Sequence, residues 1–585
     1  MDRFRFTRAA LTDPTLAERL HRVLLGVVLA LGALDTVYLR QWNLNPDGVS
    51  YVDLARAFAA HGPLALINGY WSPLYPALLG SAFALIRPSH ATAYPMVRAI
   101  GFGIFVLAAF AFARLLRLVL ESPQVAIRPV DRLLAIVIGW EIFAVLVLKG
   151  IGLFFVTPDI GVAAVVFWVS AELIVLTQRP FTRARWIRMG ALLAIGYWWK
   201  AILFPVSGVV LIVAATIAIR RRDGWRGPMA ACAAFLALAL VLMIPVSRAT
   251  GRLTFGETGR LNQLWFVAGA PQIVDACQPG QPSAAMRNGI QLDSVINERP
   301  LTCVLPDRWA ESTLPLWYDP SRWYKDRHSP LHLERSWAAV HTNLGYLRES
   351  LGDAAPWLSV ALFGAALATL LARSSMNRMV PLVVIAAASI GFYLIVYVEL
   401  RHVVPFLIVA SLVVLSTLLL RISRWRVVTL VILAICGAVD VVNHVSEPIL
   451  VELSILRHEI RGDPRPLQTS DRVARLLHDR GLVEGDRFVT VNALWNIDWA
   501  QRAGYVVRAY TPEYTVGFTQ TFRELRDPCR RAVWEQHLAS ARIDAAVIFV
   551  PNGFVAPGGF QALDDTGYYV MRIVRRPLRD GCRVS

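Results

Sequence analysis

The chain has 585 residues, of which 56% are hydrophobic and 17% charged. Soluble domains carry about 25% charged residues, so this composition excludes a soluble enzyme, and equally a disordered or collagen-like chain. The 59 Lys+Arg against 42 Asp+Glu give a net charge of +17, but the basic residues cluster between apolar runs and read as membrane topology, with no nucleic acid implied.

A bilayer is crossed by about 20 apolar residues in a helix. On that measure, spans are expected at 22–39, 96–119, 132–149, 159–177, 229–247, 353–372, 380–398, 403–420 and 427–445. The run 189–219 is too long for one span and is interrupted by Lys200 and Pro205, so it divides into two short helices meeting near Lys200. The total is about 11 spans, the first retained because it lacks a small-residue cleavage site. Basic clusters around Arg5, Arg117, Arg185, Arg221, Arg378 and Arg424 can all be cytoplasmic only if 71–87, a stretch with Pro73, Pro76 and Pro88, does not cross. The fold class expected is an α-helical polytopic membrane protein. Residues 1–445 form its transmembrane module, with outer loops at about 40–95 and 248–352, and 446–585 form an extracytoplasmic α/β domain.

In that outer tail, helices are expected at Thr469–Arg480 and near 495–503 and 529–541. Strands are expected at Arg487–Val491, 505–509, Ala545–Val550 and 568–574, and this alternation argues for a small sheet domain. The tail has no Gly-rich phosphate motif and reads as a lid or stabilising domain. Cys277 and Cys303 share the long loop, and Cys529 and Cys582 share the tail, which fits two local disulfides in an oxidising compartment. Cys232 and Cys436 lie in apolar spans and read as structural.

Several ionisable residues stand out in chain order. Asp47, between Pro46 and Gly48 just after the first span, is a turn aspartate, a general base or a cation ligand. A divalent cation is therefore one open role for it, and no cofactor is firmly required. Asp53 reads as solvated or paired with Arg56. Asp159 opens the fourth span on the same face as Asp47. Lys200 lies deep in apolar sequence, either holding a phosphate or snorkelling to water. Arg401 and His402 sit at the outer end of another span, where Arg401 either grips a phosphate or pairs with Glu399. Asp35 and Glu172, near span ends, are expected to reach water. His328, His332 and His341 are too loosely spaced to distinguish a metal site from solvated histidines. Trp317, Tyr318, Trp323 and Tyr324 suit either sugar stacking or a membrane-interface belt.

Taken together these residues resemble the GT-C superfamily of integral membrane glycosyltransferases, in particular the aminoarabinose transferases and protein O-mannosyltransferases. The resemblance covers about 20–420. It rests on Asp47…Tyr51…Ala55…Gly62…Trp71-Ser-Pro73-Leu74-Tyr75-Pro76, on Gly196…Lys200…Pro205 and on Arg401…Pro405. The chain departs from the pattern at Gly48, where those families often carry a second acid. The resemblance implies transfer of a sugar from a polyprenyl-phosphate donor to an extracytoplasmic glycan, lipid or protein, at a bacterial inner (plasma) membrane. Asp47 would be the general base and Asp159 would position acceptor or donor. Lys200, Arg401 and His402 would bind the donor phosphate, and Tyr51, Trp71, Tyr75 and Glu257 would bind substrate. The rival readings are a secondary transporter, whose second broken helix is not seen, and a non-catalytic envelope-assembly scaffold.

The charge pattern predicts a cytoplasmic N-terminus and an outer C-terminus. A reporter fused after Ser585 is expected to be active only outside the cytoplasm, and cytoplasmic activity would overturn this map.

Overall fold

The computed structural model describes residues 14–40, 42–121, 127–270, 294–305, 312–324, 333–371, 379–420, 426–461, 468–493, 496–511, 518–574 and 582. The N-terminal half runs α1 (Pro14–Tyr38), α2 (Pro46–His61), α3 (Leu74–Ile86), α4 (His90–Leu120), α5 (Pro129–Val145), α6 (Asp159–Gln178), α7 (Arg183–Trp199), α8 (Leu203–Arg220), α9 (Arg226–Thr250) and the short α10 (Thr258–Asn262). After the long loop come α11 (Leu333–Ala354), α12 (Pro356–Leu371), α13 (Val380–Leu394), α14 (Leu400–Leu419) and α15 (Arg426–Ile460). Among the described residues, 8 helices are long and apolar enough to cross a membrane, and α3, α12 and α13 are shorter apolar helices. The chain is a multi-pass helical membrane protein carrying a C-terminal α/β region.

Helix starts follow local chemistry. Pro46 and Pro129 occupy first-turn positions, where a missing N–H costs nothing. Ser89 caps α4 by accepting from Thr92 N. The expected break at Lys200 is present: α7 stops at Trp199, Lys200 is extended (φ −155°, ψ 129°), and α8 starts at Leu203 with Pro205 in its first turn. At Gly161 of α6 a Cβ would lie 2.0 Å from the Trp199 ring, so only glycine lets these two helices meet beside Lys200. Helix α3 has 13 residues, about 20 Å at 1.5 Å per residue, which is too short for a hydrocarbon core of about 30 Å.

Three expectations change. Helix α15 does not end at 445 but runs 35 residues to Ile460. Asp35 and Glu172 do not reach water. Asp35 is 3% exposed and meets His444 Nε2 at 3.0 Å, and Glu172 meets Arg114 at 2.7 Å and Arg185 at 3.8 Å. Charges at helix ends inside a bundle find partners when no water reaches them.

The tail helices are α16 (Thr469–Asp479), α17 (Asp498–Ala503), α18 (Phe518–Arg526) and α19 (Pro528–Ser540), the third of which the sequence reading lacks. The strands are β1 (Ser294–Glu298), β2 (Leu301–Val304), β3 (Arg487–Val491), β4 (Val506–Tyr510), β5 (Ala545–Phe549), β6 (Gln561–Ala562) and β7 (Tyr568–Arg572). They form one sheet in the order β1-β2-β4-β3-β5-β7-β6. Strand β3 is parallel to β4 and β5, and the outer pairings are antiparallel. The sheet therefore takes β1 and β2 from the long loop and does not stop at the tail. Val489, Val491, Ala546 and Ile548 face a core closed by Phe522, Trp534 and Leu538, while Phe488 faces Trp499 and Tyr505 on the membrane side.

Cys529 and Cys582 are disulfide-bonded, with Cα atoms 5.3 Å apart. Cys303 is also disulfide-bonded, and Cys277 lies outside the described residues. Cys232 and Cys436 are free. Cys529 and Cys582 are 53 positions apart, so Cys582→Ser is expected to cost about 2–4 kcal/mol. The check is urea unfolding of the tail under non-reducing conditions. An unchanged midpoint would show that the bond contributes nothing to stability.

Candidate active site

Three helix N-termini meet at one level of the bundle, those of α2, α6 and α14. Each brings an acid with it. Asp47 is the second residue of α2, Asp159 the first of α6, and Glu399 caps α14. Acids are stabilised at helix N-termini by the macrodipole. The Lys200 break faces the same level, and together these elements line a cavity of about 370 Å³.

Arg401 is the hub. Its Nη2 donates to Asp47 Oδ2 at 2.9 Å, and its Nε donates to Glu399 Oε2 at 2.5 Å and lies 4.0 Å from Asp159 Oδ2. Its guanidinium carbon sits 5.0 Å from the centre of the Phe155 ring, and Nη1 is buried without a hydrogen bond. Lys200 Nζ donates to Asp159 Oδ1 at 2.5 Å, and Thr157 Oγ1 donates to Asp159 Oδ2 at 2.9 Å. Trp317 Nε1 donates to Asp47 Oδ1 at 3.1 Å. Tyr397 donates its hydroxyl to Glu399 Oε1 at 2.7 Å, and His402 Nδ1 accepts from the Glu399 backbone N–H at 3.3 Å. That bond leaves the His402 proton on Nε2.

The cavity is aromatic on the side of the outer loops. Tyr51, Tyr70, Trp71, Trp265, Phe266, Trp317 and Tyr397 line it. Trp265 and Trp317 stack at 5.8 Å, as do Phe266 and Tyr397 at 3.9 Å. Burial first, then the charges of Asp47 and Asp159, push the Tyr51 phenol well above its ordinary value, so it stays a neutral donor.

Asp47, Asp159, Lys200, Arg401, His402, Tyr51 and Trp71 thus all line one cavity. Tyr75 and Glu257 lie outside its lining. Tyr75 packs behind it, edge-on to Tyr51 at 5.1 Å. Glu257 is buried between Arg252 and Arg260 at 2.6 Å each, and its N–H donates to Gly69 O at 2.7 Å, which fastens the long loop to the first. Asp53 is 2% exposed, neither solvated nor on the surface. His341 packs on Trp337, while His328, His332 and the Trp323 side chain lie outside the described residues. Among the described residues no group of three or more His, Cys, Asp or Glu converges as a metal site.

Sequence reasoning missed Arg98 and, in the aromatic wall, Tyr70, Trp265, Phe266 and Tyr397. Arg98 is buried in α4 and donates to Leu153 O at 2.7 Å and Asn43 O at 3.2 Å. Asn45 Oδ1 accepts from Val156 N at 3.1 Å. These bonds tie the loop before Asp47 to the loop before Asp159. An arginine within an apolar run was the available signal for Arg98; nothing in the sequence marked Trp265.

No family model matches the chain, and no curated protein matches it either. Among solved structures it is similar to ArnT from Cupriavidus metallidurans in the apo state, at 13% identity over 94% of this chain and 97% of that one, with a TM-score of 0.49. The same ArnT bound to undecaprenyl phosphate gives 13% identity over 94% and 97%, with a TM-score of 0.47. The archaeal oligosaccharyltransferase AglB from Archaeoglobus fulgidus, in complex with an inhibitory peptide and a dolichol-phosphate, gives 11% identity over 90% and 69%, with a TM-score of 0.42.

Proposed function

We propose that the chain is a GT-C-type glycosyltransferase that moves a sugar from a polyprenyl-phosphate donor to an extracytoplasmic glycan, lipid or protein. The observation that carries this reading is the convergence of Asp47, Asp159, Lys200 and Arg401 on one cavity among apolar helices. A phosphate needs fixed cationic donors, a lipid tail needs an apolar approach, and a sugar ring suits flat aromatic walls.

In this mechanism an acceptor hydroxyl attacks the anomeric carbon while Asp47 takes its proton. The bond from the anomeric carbon to the phosphate oxygen breaks, and its electron pair leaves with the polyprenyl phosphate. Lys200 and the free Nη1 of Arg401 stabilise the charge developing on that oxygen. A single displacement inverts the anomeric centre. Each cation is paired with a carboxylate, Lys200 with Asp159 and Arg401 with Asp47 and Glu399. Asp159, with Thr157, aims the Lys200 ammonium, so its role here is orientation of the cation.

The test uses the full chain in liposomes with a radiolabelled polyprenyl-phosphate sugar and envelope extract as acceptor. Asp47→Asn is expected to lower kcat/KM about 1,000-fold, and Lys200→Ala or Arg401→Lys about 100- to 1,000-fold. Polyprenyl phosphate binding should survive Asp47→Asn and weaken in the other two. Transfer at the wild-type rate by Asp47→Asn would remove it as the base.

A further inference from the structure

Asp53 lies on α2, six residues beyond Asp47, and outside the cavity lining. The proposed reaction has no use for it, yet it is buried and saturated with donors. Its Oδ1 accepts from Thr313 Oγ1 at 2.9 Å and Gln501 Nε2 at 2.7 Å. Its Oδ2 accepts from Thr313 N at 2.8 Å and Ser312 Oγ at 3.3 Å. Four donors fill a carboxylate's capacity, and here they come from the long loop and from the tail.

Both segments lead back to Asp47. Four residues past Thr313 stands Trp317, whose Nε1 donates to Asp47. The Trp317 carbonyl is fixed in turn by Ser50 Oγ at 3.1 Å and Trp71 Nε1 at 2.9 Å. On the tail side, Gln501 Nε2 also donates to Val49 O at 2.8 Å, and Gln501 Oε1 accepts from Tyr94 at 3.1 Å. The tail helix α17 is thereby seated on α2 and α4 by a side chain that has every polar atom engaged, beside Tyr94 donating to Asp498 O at 3.3 Å and Arg502 lying over the Tyr94 ring at 4.1 Å.

We infer that Asp53 is a positioning residue: through Thr313 and Gln501 it locks the 312–318 segment and the tail onto α2, and so holds the Trp317 indole N–H on Asp47. The tail is then part of the site's construction and not only a lid over it. Asn at this position keeps the shape but turns one acceptor into a donor facing other donors, which breaks the lock without emptying the space.

The inference rests on the transfer reading only for its activity readout. Full-length Asp53→Asn, Trp317→Phe and the double variant are compared by hydrogen–deuterium exchange and by turnover. In Asp53→Asn, exchange at 312–318 and 498–503 is expected to rise about tenfold, with α14 unchanged. Turnover should fall about tenfold with the donor KM unchanged. The double variant should lose no more than about twofold beyond the worse single, because both act through one contact. Unchanged exchange at 312–318, or multiplicative losses in the double variant, would overturn the inference. If the wild type transfers no sugar while the exchange coupling is present, the transfer reading fails and the positioning role stands. If Asp53→Asn does not fold, Gln501→Ala replaces it with the same expected exchange and non-additivity.

Discussion

A buried arginine is stable only if the surrounding chain supplies charge and acceptors to replace water. Arg401 meets that demand with Glu399, Asp47 and, more distantly, Asp159, together with the face of Phe155. Glu399 is local, two residues away. The other two acids are 354 and 242 positions distant and stand at the starts of different helices. To bring them within reach of one guanidinium, α2, α6 and α14 must begin at one height in the bundle. Removing one partner of such a buried network costs about 3–5 kcal/mol, a large share of ordinary protein stability. The level of the cavity is therefore set by this ion network, and the apolar packing of the helices is fitted to it.

The outer segments make sense as the means of keeping water from that network. The first loop supplies Tyr51, Tyr70 and Trp71, and the long loop supplies Trp265, Phe266 and Trp317. Aromatic walls exclude water and leave the few polar groups in a low-dielectric space, where each charge counts for more. The loops draw further support from distant parts of the chain, although the first already contains α2 and α3. Arg98, Glu257 and Asp53 provide it as buried charged residues, each bonded to backbone or side chains of a segment far away in sequence. The long loop gains further order by contributing β1 and β2 to the tail sheet, with Trp534 Nε1 donating to Thr302 Oγ1 at 2.8 Å.

Much of this was legible in the residues. Apolar runs of bilayer length marked the spans, and Lys200 with Pro205 marked the break, because a charge and a missing N–H are both costly inside a helix. Asp47, Asp159, Lys200 and Arg401 were visible because ionisable groups in or beside apolar sequence are rare. What stayed hidden depended on distant partners. Asp53 sits one helical turn from Arg56 in a stretch of mixed polarity, and only the arrival of Thr313 and Gln501 buries it. Tyr75 belongs to a motif that points at the site, but its ring is turned behind Tyr51. The strands β1 and β2 lie in a loop without the helix–strand alternation that marked the tail, and their pairing is decided by β4, about 200 positions later. The extension of α15 past 445 was obscured for another reason: its apolar side continues while polar residues enter, and a hydropathy ruler stops at the first of them.

The charge balance of the cavity narrows what it can accept. Asp47, Asp159 and Glu399 face Lys200 and Arg401, so three carboxylates oppose two cations. A free anion brought into this space meets no spare positive charge. A phosphate can bind only where it displaces an existing partner or uses a donor that has none. Arg401 Nη1 is such a donor, and the Lys200 ammonium has three protons with one carboxylate contact at 2.5 Å. Glu399, held by Tyr397 and locked to Arg401, keeps that guanidinium in place during any exchange. Asp47 is in the opposite situation, because every new negative charge beside Arg401 competes for the cation that steadies it. A phosphate drawn to Arg401 would therefore share the guanidinium with Asp47. Under the proposed transfer reading, an incoming phosphate would meet these ion pairs first through Arg401 Nη1 and the remaining Lys200 protons.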